Sequence, residues 1–282
     1  MPELPEVETI TRRLREGTHE HPPVPGHIIQ SVEIFWARII AKPDPEIFVR
    51  SLVGKEITDV RRRAKFLHFP LNEGHLIGHL RMSGDMRMER RLDSKGTPLP
   101  KERYDQVIIN FNANWRLVFR NVRKFGRMLY TDNPESIFGH LGPEPLSEDF
   151  SAEQLHEMLQ AHSRQIKPLL LDQTFLAGLG NIYTDESLFK AKIHPLRRSN
   201  SLSRFESRLL HKSIRQTLTE GIIKFGASLD WIYRGGEFQN YFNVYHREDE
   251  PCPVCGTKIK KISVGQRGTH FCPDCQKPPS SD

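Results

Sequence analysis

Apolar and polar positions along the chain predict a helix, then strands, then helices again. Val7, Ile10 and Leu14 recur at helical spacing behind Pro5, which suits a first helical position. The segments that follow are rich in Ile, Val, Phe and Leu with partial alternation, and they span residues 28–41, 55–71, 75–89 and 104–131. Because turn-like segments rather than helical patterns join them, we predict an antiparallel β-sandwich.

Four helices are predicted in the second half of the chain. Ser151 and Gln154 form a capping box, so the first helix begins there and runs to about His162. Apolar residues predict three more helices. The second covers residues 169–175, the third begins after the glycines of residues 178–181, and the fourth runs from residue 204 to about 224. The fold class is therefore α+β, with an N-terminal antiparallel β-sandwich domain with flanking helices, a C-terminal helical domain and a cysteine-bearing β-hairpin. The predicted domains are 1–145, 146–235 and 245–282.

Composition changes this picture little. The chain has 282 residues, of which 37% are hydrophobic and 27% charged, so it can build an ordinary core. No apolar run approaches the roughly 18 residues of a membrane span, and the first ten residues lack the apolar stretch of a signal peptide. We expect a cytoplasmic protein without a membrane partner. The glycine-rich stretch at 226–245, with Gly235-Gly236 at its middle, suggests a mobile loop.

Charge points to a polyanion partner. Lys plus Arg number 41 against 35 acidic residues, and the pI is about 9.2. Residues 61–91 hold eight basic residues against three acidic ones, and residues 116–127 hold basic residues interleaved with Phe119 and Phe125 and no acid. Such stretches suit phosphates and bases, but a solvated strand face is the alternative for either one.

The four cysteines form a zinc-binding pattern. Cys252, Cys255, Cys272 and Cys275 give two CxxC pairs separated by 16 residues, enough for a β-hairpin that brings the pairs together around one structural Zn²⁺. The alternative is a disulfide pair or a redox CxxC. The lack of a signal peptide and of a thioredoxin-like βαβ context argues against this alternative.

Two further features have both a chemical and an ordinary interpretation. Residues 178–181, Gly-Leu-Gly-Asn, open a helix whose free N–H groups could hold a phosphate, but a turn that needs glycine for packing is the alternative. If Met1 is removed, Pro2 presents a secondary amine beside Glu3. Such an amine can attack an aldehydic carbon to give an iminium, and a neighbouring carboxylic acid can protonate the departing oxygen. By composition alone, Pro2 is an ordinary chain start.

Taken together, several motifs resemble the formamidopyrimidine-DNA glycosylase family. The chain opens on the family's start, Pro-Glu-Leu-Pro-Glu-Val-Glu, at residues 2–8. Further family-like motifs, which extend over the whole chain, are Arg63-Ala64-Lys65, His79-Leu80-Arg81-Met82-Ser83-Gly84, Arg123-Lys124-Phe125-Gly126, His140-Leu141-Gly142-Pro143-Glu144-Pro145-Leu146, Gly180-Asn181-Ile182-Tyr183 and Gln266-Arg267.

The resemblance implies a fold and a catalytic set. The fold is a β-sandwich domain, a helix-two turns-helix domain and a zinc finger, with double-stranded DNA in the cleft between. Pro2 would be the nucleophile at C1′ of the damaged nucleotide, and Glu3 the acid that assists ring opening. Lys65 matches a lysine associated with β-elimination and phosphate contact, and Arg267 matches a finger arginine linked to δ-elimination.

The resemblance also implies the DNA-binding residues. Glu6 would support the catalytic site, and Arg123, Lys167 and Asn181 match DNA-contacting positions. Met82, Arg123 and Phe125 would fill the gap left by a flipped-out base, although core packing is the alternative for Met82 and Phe125.

Several positions depart from the family pattern. Where the family usually has Lys-His-Asp-His-Val, residues 103–107 are Arg-Tyr-Asp-Gln-Val, so Tyr104 replaces a DNA-contacting histidine and Gln106 replaces another family histidine. The Tyr104 hydroxyl can donate to a phosphate but carries no charge. Val122 replaces the usual proline before Arg123, which loosens that loop. We expect the replacements at Tyr104 and Val122 to affect fine specificity more than activity.

We predict a bacterial base-excision repair enzyme, a DNA glycosylase with AP lyase activity that acts as a monomer. It would remove oxidised purines, chiefly 8-oxoguanine and formamidopyrimidines, and cleave the strand by β,δ-elimination. One rival is an endonuclease VIII-like glycosylase for oxidised pyrimidines. Leu4 argues against this rival, because that branch usually has glycine at this position. Another is a catalytically silent DNA-binding or architectural protein, against which stand Pro2, Glu3 and Lys65.

Overall fold

The helix predicted at the N-terminus forms as α1 (Leu4–Glu16), and Val7, Ile10 and Leu14 are buried on it. The computed structural model describes residues 2–229 and 235–278. Met1, whose removal the predicted chemistry requires, lies outside the described residues, as do residues 230–234 of the predicted loop. Within the described part of the chain, no helix is long and apolar enough to cross a membrane.

Nine strands and two short helices follow in the first half of the chain. In order they are β1 (Ile29–Ile34), β2 (Ile40–Lys42), α2 (Pro45–Leu52), β3 (Arg61–Arg63), β4 (Phe66–Pro70), β5 (His75–His79), β6 (Gly84–Arg90), β7 (Asp105–Phe111), β8 (Trp115–Asn121), β9 (Arg127–Thr131) and α3 (Glu135–Phe138). The four predicted strand-rich segments therefore all contain strands.

The strands form two sheets, with the orders β1-β7-β8-β6 and β2-β9-β5-β4-β3. Neighbouring strands run antiparallel except β2 and β9, which are parallel. Side chains of both sheets share one core with α1 and α2, including Phe48, Phe69 and Phe119. The predicted antiparallel sandwich is confirmed, with one parallel pair as the exception.

The second half is helical, as predicted. Its elements are α4 (Ala152–Gln160), α5 (Ile166–Leu171), α6 (Asn181–Lys190) and α7 (Arg204–Ile223), followed by the hairpin strands β10 (Lys260–Val264) and β11 (Arg267–Phe271). The Ser151 hydroxyl accepts from the Gln154 N–H at 3.1 Å, which confirms the predicted start of α4. Helix α5 ends before Phe175 because Asp172 accepts from Thr174 in a turn.

The chain divides into two units. The first contains residues up to Gly139 and the described part of 228–236, and the second contains 140–227 and the residues from Glu237 onward. The domain boundaries predicted from the sequence stay predictions.

Candidate active site and nucleic-acid interface

The predicted catalytic residues of the N-terminus lie at the start of α1. Pro2 and Glu3 precede the helix, and both are buried. Glu6 Oε2 accepts from the Glu3 backbone N–H at 2.7 Å, which is the reach-back arm of a capping box. Glu6 therefore holds the backbone at Glu3, and a direct DNA contact by Glu6 stays a prediction.

Lys65 lies in the tight turn between β3 and β4. It follows Ala64, whose φ is +53°, and its side chain is buried. Strand β3 packs on α1, and Arg62 Nε donates to Glu8 Oε2 at 2.9 Å. The hairpin that holds Lys65 is thus tied to the helix that begins after Glu3.

The predicted gap-filling side chains lie on two neighbouring loops. Met82 follows β5, and Arg123 and Phe125 follow β8; in the sheet, Gly84 of β6 lies opposite Asn121 of β8. Met82 is 40% exposed and Phe125 54% exposed, so neither is a core residue. Arg123 Nη1 lies 3.9 Å from Met82 Sδ. The structure therefore brings Arg123 and Met82 together, and exposed Phe125 lies two residues further along the Arg123 loop.

A neutral histidine precedes the Met82 loop. His79 Nδ1 accepts from the backbone N–H of Arg81, whose φ is +54°, at 3.0 Å. Burial, with the nearby charges of Arg81 and Lys65, lowers the pKa of His79 to about 3. The imidazole is therefore uncharged at neutral pH, and its lone pair supports the loop backbone.

Two of the positions that depart from the family pattern lie near the start of β7: Tyr104 directly precedes this strand, and Gln106 is its second residue. The guanidinium groups of Arg103 and Arg120 lie 5.3 and 5.5 Å from the Tyr104 ring centroid, within cation–π range. Gln106 is buried, and its Nε2 donates to the carbonyl oxygens of Tyr104 and Asn121. Gln106 therefore has an internal role, whereas Tyr104 lies in a cationic environment without being charged itself.

Several arginines of the two basic stretches are neutralised within the first unit. Arg87 and Arg116 both pair with Glu89, at 2.8 and 2.6 Å, and Arg61 pairs with Asp59 at 2.7 Å. Arg116 is buried rather than solvated, so it does not match the solvated strand face of the alternative either, and phosphate binding by these stretches stays a prediction.

Lys167 is completely buried. Its Nζ lies 2.6 Å from Asp185 Oδ1, which is also completely buried, and donates to the Gly268 carbonyl at 3.0 Å. Asn181 Nδ2 donates to the same carbonyl at 2.9 Å. Both side chains thus meet the hairpin turn beside Arg267. The prediction that Lys167 contacts DNA stays a prediction, and a phosphate contact would require Lys167 to leave this ion pair.

Arg267 is the first residue of β11 and is exposed. The turn before it consists of Gly265 and Gln266, with φ values of +55° and +61°. Two left-handed residues in succession are typical of a type I′ hairpin turn, which sets the register of the flanking strands. Arg267 is therefore presented at the tip of the hairpin, directly before Gly268, whose carbonyl oxygen accepts from Lys167 and Asn181.

The four cysteines lie together, as predicted. All four Sγ atoms lie within 4.8 Å of one another, and the close pairs are 3.4 Å (Cys255 and Cys272), 3.6 Å (Cys255 and Cys275) and 3.9 Å (Cys252 and Cys275). None is in a disulfide, so the disulfide alternative is wrong. Tetrahedral Zn–S bonds of about 2.3 Å place sulfurs about 3.8 Å apart, so this thiolate set fits one zinc ion.

Two buried acids of α6 escaped the sequence analysis. Asp185 Oδ2 accepts from the His270 backbone N–H at 2.9 Å, and the Glu186 carboxylate accepts from the N–H groups of Val244 and Tyr245 at 2.9 Å each. The helix thereby orders the zinc-finger backbone. The direct neighbours of these acids in the sequence, Thr184 and Ser187, are polar, so the local pattern carried no signal for their burial.

The fold and the cysteine cluster define a protein with a β-sandwich unit that opens on Pro-Glu and a helical unit that ends in a zinc finger. The family models described as the formamidopyrimidine-DNA glycosylase N-terminal domain, its H2TH domain and a zinc finger found in FPG and IleRS match residues 1–128, 141–230 and 249–278. The chain belongs to the formamidopyrimidine-DNA glycosylase family, as the motifs indicated.

Relatives and solved structures match the chain over nearly its full length. The formamidopyrimidine-DNA glycosylases of Brevibacillus brevis and Bacillus subtilis are 45% and 42% identical, each covering 98% of this chain and 99% of its own. The structures of MutM with DNA containing carbocyclic 8-oxo-G and of Lactococcus lactis Fpg with DNA containing an abasic site each have a TM-score of 0.88 and 39% identity, over 98% of this chain and 100% of the other.

Proposed function

We propose that the chain is a base-excision repair enzyme that removes oxidised purines, chiefly 8-oxoguanine and formamidopyrimidines, and then cleaves the DNA strand by β,δ-elimination. Family membership and relatives solved with 8-oxo-G, Fapy-dG and abasic-site DNA support this function. The observation that carries it is the buried Pro2-Glu3 pair at the start of α1, held by Glu6.

The chemistry starts from the secondary amine of Pro2 after Met1 is removed. Its lone pair attacks C1′ as the bond to the base breaks, and the base leaves with the bonding electrons and a proton. Glu3 protonates the sugar ring oxygen as the ring opens, which leaves an iminium between Pro2 and C1′. The iminium accepts electrons when a C2′ proton is lost and the 3′ phosphate departs. Lys65 assists this β-elimination, and Arg267 assists the second, at the 5′ phosphate.

The remaining predicted residues bind double-stranded DNA. Met82, Arg123 and Phe125 fill the gap left by the extruded base, and Tyr104, Lys167 and Asn181 contribute to DNA binding. Zinc held by Cys252, Cys255, Cys272 and Cys275 would supply structural cross-linking of the finger. Because the substrate is chromosomal DNA, we infer that the enzyme works in the bacterial cytoplasm, and that it acts as a monomer.

A trapping experiment tests the proposal. Duplexes containing 8-oxoguanine or thymine glycol are incubated with the chain in borohydride, which reduces an iminium to a stable adduct. We expect adduct and strand cleavage with 8-oxoguanine, and neither when an N-terminal tag blocks Pro2. Preference for thymine glycol would support the oxidised-pyrimidine rival, and no adduct with either duplex would support a silent DNA-binding protein.

A further inference from the structure

One arginine joins α1 to the turn that holds Lys65. Arg62 Nε donates to Glu8 Oε2 at 2.9 Å, and Arg62 Nη1 donates to the Ala64 carbonyl oxygen at 3.1 Å. The same guanidinium therefore contacts the helix with one edge and the β3–β4 turn with another.

The Ala64 carbonyl that Arg62 contacts lies directly before Lys65 in the chain. The Ala64 carbonyl belongs to the planar peptide unit that leads into Lys65, so its direction determines how Lys65 leaves the turn. Ala64 is in the left-handed region with φ of +53°, which a residue with a Cβ rarely adopts without support from its surroundings. Holding this carbonyl thus holds the turn in a conformation that it would not favour alone.

The ion pair is shielded from solvent. The Arg62 and Glu8 side chains are only 11% and 15% exposed, and the other Glu8 oxygen accepts from Arg12 at 2.8 Å. Burial opposes ionisation of Glu8, but the two arginines outweigh it and keep the pKa of Glu8 below its ordinary value. A guanidinium can make both contacts at once because its donors point in fixed directions, which an ammonium cannot imitate.

The preceding residue on β3 provides a natural comparison. Arg61 points to the other side of the strand and pairs with Asp59 at 2.7 Å in a largely exposed position. It carries the same charge on the same strand, but the carboxylate it pairs with is that of Asp59, in the segment just before β3.

We propose that Arg62 and Glu8 are positioning residues for Lys65: together they hold the Lys65 turn in place against the helix that begins after Pro2 and Glu3. This inference rests on the proposed function, in which Lys65 assists elimination from the adduct on Pro2. In this role both residues act through the backbone of the turn rather than on the reacting atoms.

The test uses a duplex with a pre-formed abasic site, under single-turnover conditions, and separates adduct formation from elimination. In Arg62→Met, which keeps the apolar stem and removes both donors, we expect strand cleavage to slow by about tenfold or more, as small misplacements of catalytic groups do. Borohydride trapping should stay within about twofold of wild type, since trapping reports on Pro2. Arg61→Met is the matched control and should cleave like wild type, and Arg62→Lys should be intermediate.

A double-mutant cycle with Lys65→Ala decides whether Arg62 acts through Lys65. If it does, Arg62→Met slows cleavage little further in the Lys65→Ala background. Additive losses, equal losses in trapping and cleavage, or the same loss in Arg61→Met would overturn the inference. Glu8→Gln gives the same test if Arg62→Met does not fold. A wild-type chain that forms no adduct would instead overturn the proposed function, which makes the two failures distinguishable.

Discussion

Lys167 Nζ and Asp185 Oδ1 lie 2.6 Å apart, and neither side chain is exposed to solvent. The pair joins α5 to α6, and both partners also bond to the zinc-finger hairpin, Lys167 to the Gly268 carbonyl and Asp185 to the His270 N–H. Two charges withdrawn from water depend on each other, because either one alone would be an uncompensated buried charge.

Removing one partner should therefore destabilise the protein strongly. We expect Asp185→Asn to lower the free energy of unfolding by about 3–5 kcal/mol, since it leaves the Lys167 charge buried. Asp172→Asn breaks a partly exposed pair with Arg164 but leaves a side-chain oxygen for Thr174, so it should cost no more than about 1 kcal/mol. Urea unfolding of both variants measures the difference. Equal, small losses would show that the Lys167 charge escapes to solvent easily.

The pair also shows where sequence reasoning ended. The resemblance placed Lys167 among the DNA contacts. Its burial could not be predicted from the local sequence, because the acid that pairs with it, Asp185, lies on another helix. Helix α2 is a different case: Pro45 at its start and Phe48 and Leu52 one turn apart were visible signals, overlooked between strand-like segments.

What depended on local chemistry was predicted well. The helix start at Ser151 and the cysteine spacing each involve groups a few residues or one hairpin apart. The Ser151 hydroxyl caps α4 as predicted, without the return bond from the Gln154 side chain that would complete a capping box, and the four cysteines lie together. Sheet membership could not be predicted, since the strand-like segment 28–41 divides between the two sheets as β1 and β2. Which strands pair depends on long-range packing that a one-dimensional pattern does not contain.

Zinc removal should unfold the finger. Its buried apolar residues are few, chiefly Val244 and Ile259 packed on Phe189 with Cys252 and Cys272. Such a core is too small to be stable without a metal cross-link. We expect one zinc per chain by metal analysis, and we expect chelation or Cys272→Ser to weaken binding to duplex DNA sharply.

A substitution on the same hairpin serves as the control for the zinc prediction. Ser263 is exposed on β10, so Ser263→Ala should leave both the zinc content and the DNA affinity unchanged. Active protein that contains no zinc would contradict the structural role given to the metal.

The Glu8 carboxylate should make stability depend on acid pH. Burial raises its pKa, but the bonds to Arg12 and Arg62 outweigh burial, so the pKa in the folded state is lower than the ordinary 4.5. A lowered pKa stabilises the fold above the unfolded-state value, and this contribution is lost as pH falls through the folded-state value. Wild type should therefore be more stable than Glu8→Gln at about pH 6, and the difference should shrink toward about pH 3. Urea unfolding across this range measures it, and a constant difference would mean that the Glu8 charge contributes nothing.

Polar contacts within the first unit connect the loops that present Met82 and Arg123. Ser83 Oγ accepts from the Arg123 backbone N–H at 2.9 Å, and Asn121 Nδ2 donates to the Leu80 carbonyl at 3.3 Å. Ser83 and Asn121 are buried. These bonds join the two loops to each other, and the exposed Met82 side chain extends from this hydrogen-bonded base.

Met82→Ala should separate base extrusion from the chemistry at Pro2. Extruding a stacked base costs a few kcal/mol and leaves a hole that an unbranched thioether can occupy, whereas alanine is too short to do so. We expect excision of 8-oxoguanine from a fully paired duplex to fall by about ten- to a hundredfold, and cleavage at a pre-formed abasic site, where no base is extruded, to fall by about threefold at most. Ile47→Ala, which removes another exposed apolar side chain of the same unit, should affect neither rate. Equal losses on both duplexes would show that Met82 supports the loop rather than the DNA, because a displaced loop would impair every step that follows binding.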